Sequence, residues 1–210
     1  MLESRDVTMK FGAVTAVDQV TLQLQPGHIY ALLGPNGSGK TTWMKLATGL
    51  LKPTSGGMFW NGEPVGVKSR EDIAYMSTEP YFYTWMSIRD VGRYYQDFFR
   101  DFDPERFAEL LKRMELQNTL KVKNLSSGMM AKLKVAVTLA RQAKVWLLDE
   151  PFNGIDLIAR DAIARSILEA AGEDRIIALS SHLVEEMRRR TGLSMADRYR
   201  EIYGAQREGN

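Results

Sequence analysis

Gly34-Pro35-Asn36-Gly37-Ser38-Gly39-Lys40-Thr41-Thr42 follows the apolar run Ile29-Tyr30-Ala31-Leu32-Leu33, and this junction decides the fold. Two glycines, then a lysine and a hydroxyl residue, set between a short buried strand and a helix, make a phosphate loop. Gly34, Gly37 and Gly39 let the backbone turn with φ > 0, so several N–H groups can converge on phosphate oxygens. The helix expected from about Lys40 to Leu50 points its positive end at the same anion. Lys40 is long enough to reach the β and γ phosphates, and the Thr41 hydroxyl suits Mg²⁺. The motif predicts nucleotide phosphate binding. Alone it does not separate kinases, GTPases and ATPases.

Working outward, 210 residues suffice for one sizeable domain with a substantial core, or for one domain with an inserted lobe. A net charge of +2 makes no electrostatic case for nucleic acid. The absence of cysteine excludes disulfides and thiolate metal sites and suits a reducing compartment, and two histidines argue against a His-rich metal site. No apolar run approaches the ~20 residues that span a bilayer, and Met1-Leu-Glu-Ser-Arg5 lacks a signal peptide's apolar segment. A membrane role is therefore expected to come through a partner.

Upstream of the loop, Val7–Phe11 and Val20–Leu24 alternate apolar and polar residues as strands do, with Gly12 and Asp18 expected near the turns. Phe11, at a strand end before a glycine, reads either as an aromatic that stacks on a nucleotide base or as a residue packing a small sheet. Downstream, residues 53–57 read as a loop, Met58–Trp60 as a strand, Asn61-Gly62 as a tight turn and Ile73–Met76 as another strand. The aromatic stretch Tyr81-Phe82-Tyr83-Thr84-Trp85 is a protein-contact surface if exposed and core if buried. A helical region follows: Ser87 to about Phe99, a helix opened by Asp103-Pro104-Glu105, and a third from about Met129 to Gln142. Ser126-Ser127-Gly128 before the third helix reads as a cap or as a second phosphate-binding terminus.

Val145–Leu148 is a buried strand that ends in Asp149-Glu150-Pro151. Ionised acids avoid burial unless paired or metal-bound. Beside a phosphate loop, Asp149 suits Mg²⁺, directly or through water, and Glu150 suits a water placed for in-line attack. A turn, a long amphipathic helix to about Ala171 and a strand over Arg175–Ser180 follow. His182 then stands at a strand terminus, on the side where such sheets bind ligands.

The ordered set resembles the ATP-binding subunits of ABC transporters, over the chain to about Glu186. GPNGSGKTT is similar to the family's phosphate loop, LSSGMMAKLKVAVTLAR to its signature motif and helix, VWLLDEP to its acidic strand, FNGID to its D-loop and SSH to its switch histidine. The signature stretch separates this chain from simple kinases and GTPases. The resemblance implies an α/β fold: a P-loop NTPase (RecA-like) core with a mainly parallel sheet, an N-terminal antiparallel β subdomain and an inserted α-helical subdomain. It implies one domain over residues 1–210, with 1–80 and 144–210 as the core and 81–143 as the helical part. By residue, Phe11 would stack on adenine. Gly34 to Thr42 would hold the phosphates, and Thr41, Asp149 and Thr78 the Mg²⁺. Glu150 would polarise water and His182 would contact the γ-phosphate. Ser126, Gly128 and Asp156 would act on a partner's ATP across a dimer interface. The implied partners are a second nucleotide-binding subunit, identical or not, and a transmembrane permease that holds the chain at the inner membrane face. No direct nucleic acid and no membrane insertion are implied, and Tyr81 to Trp85 would join the permease-docking surface.

Three departures stand out. Thr78 occupies the slot of the family's glutamine, with Glu79 beside it. Ser127 adds a side chain where the family favours glycine. After His182 a strand pair looks excised before residues 191–204, which bears on turnover and should leave an exposed sheet edge. The alternatives are a non-transport ABC-type ATPase and a truncated ATP-binding protein with impaired hydrolysis.

Overall fold

The computed structural model describes residues 1–155 and 157–181. The expectations for Asp156, for His182 and for the shortened stretch after it lie outside the described residues.

The strands are β1 (Leu2–Phe11), β2 (Val14–Leu24), β3 (His28–Leu33), β4 (Ser55–Trp60), β5 (Glu63–Pro64), β6 (Ile73–Met76), β7 (Val145–Leu148) and β8 (Ile176–Ser181). The helices are α1 (Lys40–Ala47), α2 (Ile88–Phe98), α3 (Pro104–Arg113), α4 (Ser127–Leu139) and α5 (Leu157–Ala170). Among the described residues, β2-β1-β4-β5 form an antiparallel sheet and β3-β8-β7-β6 a parallel one. This is the α/β architecture expected.

The inner strands of the parallel sheet sort their side chains by alternation, whereas β3, expected to be buried, ends the sheet among the described residues and leaves Ile29 and Leu33 exposed. Val145 and Leu147 of β7, with Ile176 and Ala178 of β8, pack into an apolar cluster with α1, β1, β2 and β4. Trp146 and Leu148, with Ile177, pack on the other face against α2, α3, α4 and α5. A sheet covered on both faces needs apolar residues at every position, which is why β7 reads as an unbroken apolar run. The helices start where their sequences signal it. Ser87 and Asp90 form a reciprocal capping box on α2. Asp103 accepts from the Glu105 and Arg106 N–H groups ahead of α3, which has proline at its start.

Several expectations are corrected. β1 begins at Leu2 rather than Val7, because it is paired on both sides and bulges absorb its polar stretch. Ser4 is buried there, its hydroxyl accepting from Leu22 N–H (3.0 Å) and from Trp43 Nε1–H (3.3 Å). Asp18 lies inside β2, not at a turn, beside Gln19 at φ 46°. Residues 55–57 belong to β4 instead of a loop. Gly56 takes φ 74°, and a Cβ there would strike the Asp6 carbonyl oxygen. Helix α4 starts at Ser127, two residues before the expected Met129, and α1 stops at Ala47, short of Leu50.

Candidate functional site

All four parallel strands end at one edge, where ligands bind in open α/β sheets. β3 delivers the loop of residues 34–39, β6 delivers Ser77 and Thr78, β7 delivers Asp149 and Glu150, and β8 delivers Ser180. A cavity of about 380 Å³ lies between them, lined by residues 36–42, Thr78, Glu150, Asn153 and Ala16. The glycines earn their positions here. Gly37 and Gly39 stand at φ 83° and 88°, and a Cβ on Gly39 would collide with the Ala16 carbonyl oxygen. The loop is thereby pressed against β2. Gly39 caps α1 without a side-chain bond, so the first N–H groups of the helix receive no side-chain oxygen from the cap.

Lys40 Nζ donates to the Gly34 and Pro35 carbonyls at 2.7 and 2.9 Å and lies 3.9 Å from Glu150 Oε1. Residues 110 positions apart in the chain thus meet, with side chains 9% and 10% exposed. Glu150 takes φ 51°, a conformation that costs a non-glycine residue of order 1–2 kcal/mol and is tolerated where a site dictates it. Its N–H donates to Ser180 Oγ at 2.8 Å, and that hydroxyl donates onward to Asp149 Oδ1 at 2.6 Å. Tyr75 donates to Asp149 Oδ2 at 3.2 Å. Asp149 itself is fully buried. Burial, reinforced by the Asp149 charge, pushes the Tyr75 hydroxyl above its ordinary pKa. Lys134 of α4 donates to the Thr78 carbonyl at 2.7 Å from the helical side, and burial lowers its pKa while Asp149 opposes the shift.

The structure therefore brings Lys40, Thr41, Thr42, Thr78 and Glu150 to one cavity, with Asp149 directly behind it. It does not bring Phe11, Ser126 or Gly128 into that lining. Phe11 is 49% exposed at the end of β1, so it does not pack the small sheet. Ser126 caps α4, accepting from Met129 N–H at 3.2 Å. Ser127 donates its hydroxyl to the Gly154 carbonyl at 3.0 Å, tying the start of α4 to the loop after Glu150. The aromatic stretch is both things at once. Tyr83 and Trp85 are exposed and stacked at 5.8 Å, while Phe82 packs on the helical core. The sequence reading missed Asn153, Tyr75, Ser180 and Lys134. Asn153 lies within the FNGID stretch, Tyr75 within β6 and Ser180 at the end of the strand expected over Arg175–Ser180; Lys134 carries only the signal of a charge on an apolar helix face.

Residues 17–153 match the ABC transporter family. The chain is 33% identical over 202 residues to the Nod factor export ATP-binding protein I of Cupriavidus metallidurans, an alignment covering 90% of this chain and 65% of that protein. It is 32% identical over 189 residues to the lantibiotic transport ATP-binding protein SrtF of Streptococcus pyogenes, covering 89% of this chain and 82% of the relative. The fold superposes with a TM-score of 0.76 on an ABC transporter ATP-binding protein from Pyrococcus furiosus, at 28% identity over 86% of this chain and 90% of that one. With its phosphate loop, acidic strand end and capped signature helix in the family's order, this chain belongs to the ABC transporter family of ATP-binding proteins.

Proposed function

We propose that this chain binds ATP with Mg²⁺ at the end of the parallel sheet, hydrolyses it, and drives a membrane permease as one half of an ATP-held dimer. The observation that carries the reading is the 3.9 Å approach of Lys40 to Glu150 across a cavity built from the phosphate loop. A phosphate-binding cation and a candidate base brought together at one cavity suit in-line attack on a terminal phosphate.

The donor set fits the groups implied. Backbone N–H groups of residues 36–42 and the Lys40 ammonium would hold the phosphates. Thr41 and Thr78 supply oxygens for Mg²⁺, with Asp149 as a fixed negative charge behind them. Mg²⁺, when bound, offsets charge on the phosphate oxygens. Glu150 would orient and deprotonate the water. The Ser180 hydroxyl, bonded to both Asp149 and the Glu150 backbone, holds the two acids in mutual register. Exposed Phe11 would stack on the base. Ser126, Gly128 and Asp156 would face the partner's nucleotide and His182 the γ-phosphate, with residues 81–143 as the signature-bearing lobe. Tyr83 and Trp85 would meet the permease, and through it the chain would sit at the inner membrane face. Among the described residues no helix is long and apolar enough to cross a membrane.

Lys40→Ala tests the reading directly. It removes charge-assisted phosphate bonds worth ~1.5–3 kcal/mol, so ATP affinity in a fluorescent-nucleotide titration falls at least tenfold. Unchanged affinity contradicts the placement. Co-purification with a multi-span permease tests the transport assignment.

A further inference from the structure

Helix α4 is apolar along its buried face, where Leu133, Val135, Ala136, Val137 and Leu139 are fully buried. Lys134 stands among them at 6% exposure. An ammonium withdrawn from water is costly unless charge and hydrogen bonds compensate, and nothing in the helix's own periodicity calls for one there. Its compensation lies outside the helical layer. Lys134 Nζ donates to the Thr78 carbonyl at 2.7 Å, a charge-assisted length, with the buried Asp149 carboxylate as the nearby counter-charge. Thr78 in turn lines the phosphate-loop cavity. Lys134 also lies eight residues from the Ser126 cap, about 12 Å along the helix at 1.5 Å per residue. One rigid helix therefore meets the site's surroundings twice, at the Ser127–Gly154 bond near its start and at Lys134–Thr78 in its middle.

We propose that Lys134 is a positioning residue: it fixes the Thr78 backbone at the cavity wall to the position of α4, and this tie governs ATP turnover more than ATP affinity. The proposal rests on the function proposed above. Lys134 touches a backbone carbonyl, not a reacting group. What it controls is where Thr78 and its neighbours stand relative to α4.

Lys134→Met, in the full chain, keeps the length and removes the donor. The expected result has three parts. The unfolding temperature holds or rises, since the buried charge is gone. The fluorescent-ATP Kd stays within threefold, while kcat falls at least tenfold. Amide exchange across residues 77–79 quickens in the nucleotide-free protein. A kcat and an exchange rate equal to the parent's overturn the proposal, as does a parallel loss of unfolding temperature, affinity and kcat, which marks a merely structural residue. Lys134→Gln, retaining an N–H donor on a shorter neutral chain, reads the same quantities if the Met variant fails to fold. Should the parent bind no ATP or not turn it over, the functional reading is what fails, and exchange at 77–79 alone decides the tie.

Discussion

Glu150 shows what a single residue contributes at this site. As the second acid after an apolar strand its chemistry was legible, because the low-dielectric strand end leaves a carboxylate little other purpose. Its backbone was not legible. The φ of 51° and the bond from its N–H to Ser180 depend on β8, which lies some thirty residues away. Glu150→Gln preserves shape, backbone bond and volume while removing the charge that faces Lys40. Steady-state phosphate release should slow by well over tenfold, with ATP binding intact and the ATP-held dimer favoured in size-exclusion chromatography. Hydrolysis at the parent rate would remove Glu150 from its assigned role. The phosphate-loop glycines contrast with this, since the need for positive φ was readable from their spacing alone.

At the scale of elements, helix starts were more legible than helix ends. Ser87 and Asp103 announce α2 and α3 because their side chains cap the next few amides locally. Two ends are closed by the same device. After α1, Gly49 N–H donates to Leu46 O and Leu50 N–H to Lys45 O, with Gly49 at φ 68°. After α3, Glu115 N–H donates to Lys112 O and Leu116 N–H to Leu111 O, with Glu115 at φ 56°. Both are paired six-to-one and five-to-two closures, but only the first uses the residue that adopts this conformation without steric cost. Glu115→Gly should therefore stabilise the fold by about 0.5–1 kcal/mol, read as a higher urea midpoint. A lower midpoint would mean that Glu115 makes contacts outweighing its strain. The helix expected to run to about Leu50 ends at Ala47 because Gly49 takes the left-handed conformation.

At the scale of the molecule, the parallel sheet divides the core in two, and the seam between sheet and helices holds polar groups that no single element explains. Tyr81 shows a partly exposed ring, yet its hydroxyl is buried with Tyr95 and Thr138, and burial pushes it up to about 12. Burial also raises Tyr95 and Tyr75. Below a pH of about 10 these groups are neutral in both folded and unfolded chains and cost nothing. Above it the unfolded chain releases protons that the fold retains, so stability falls as pH rises through the raised values. Ultraviolet absorbance titration should show at least three of the eight tyrosines ionising late. The urea midpoint of Tyr81→Phe should fall less steeply than the parent's between pH 9.5 and about 11.5. Parallel falls would place the Tyr81 hydroxyl in water.

The sequence by itself determined the loop, the acidic strand end, the order of motifs and the two-faced burial of β7, but not the exposure of β3. Each of these is a local pattern of backbone freedom, charge and alternation. Only the tertiary structure decided that Lys40 and Glu150 share a cavity, that Ser180 joins Asp149 to the Glu150 backbone, that Phe82 turns inward while Trp85 faces out, and that Lys134 reaches Thr78. Those contacts link residues tens of positions apart. Their geometry comes from strand order and helix packing, which no local pattern encodes.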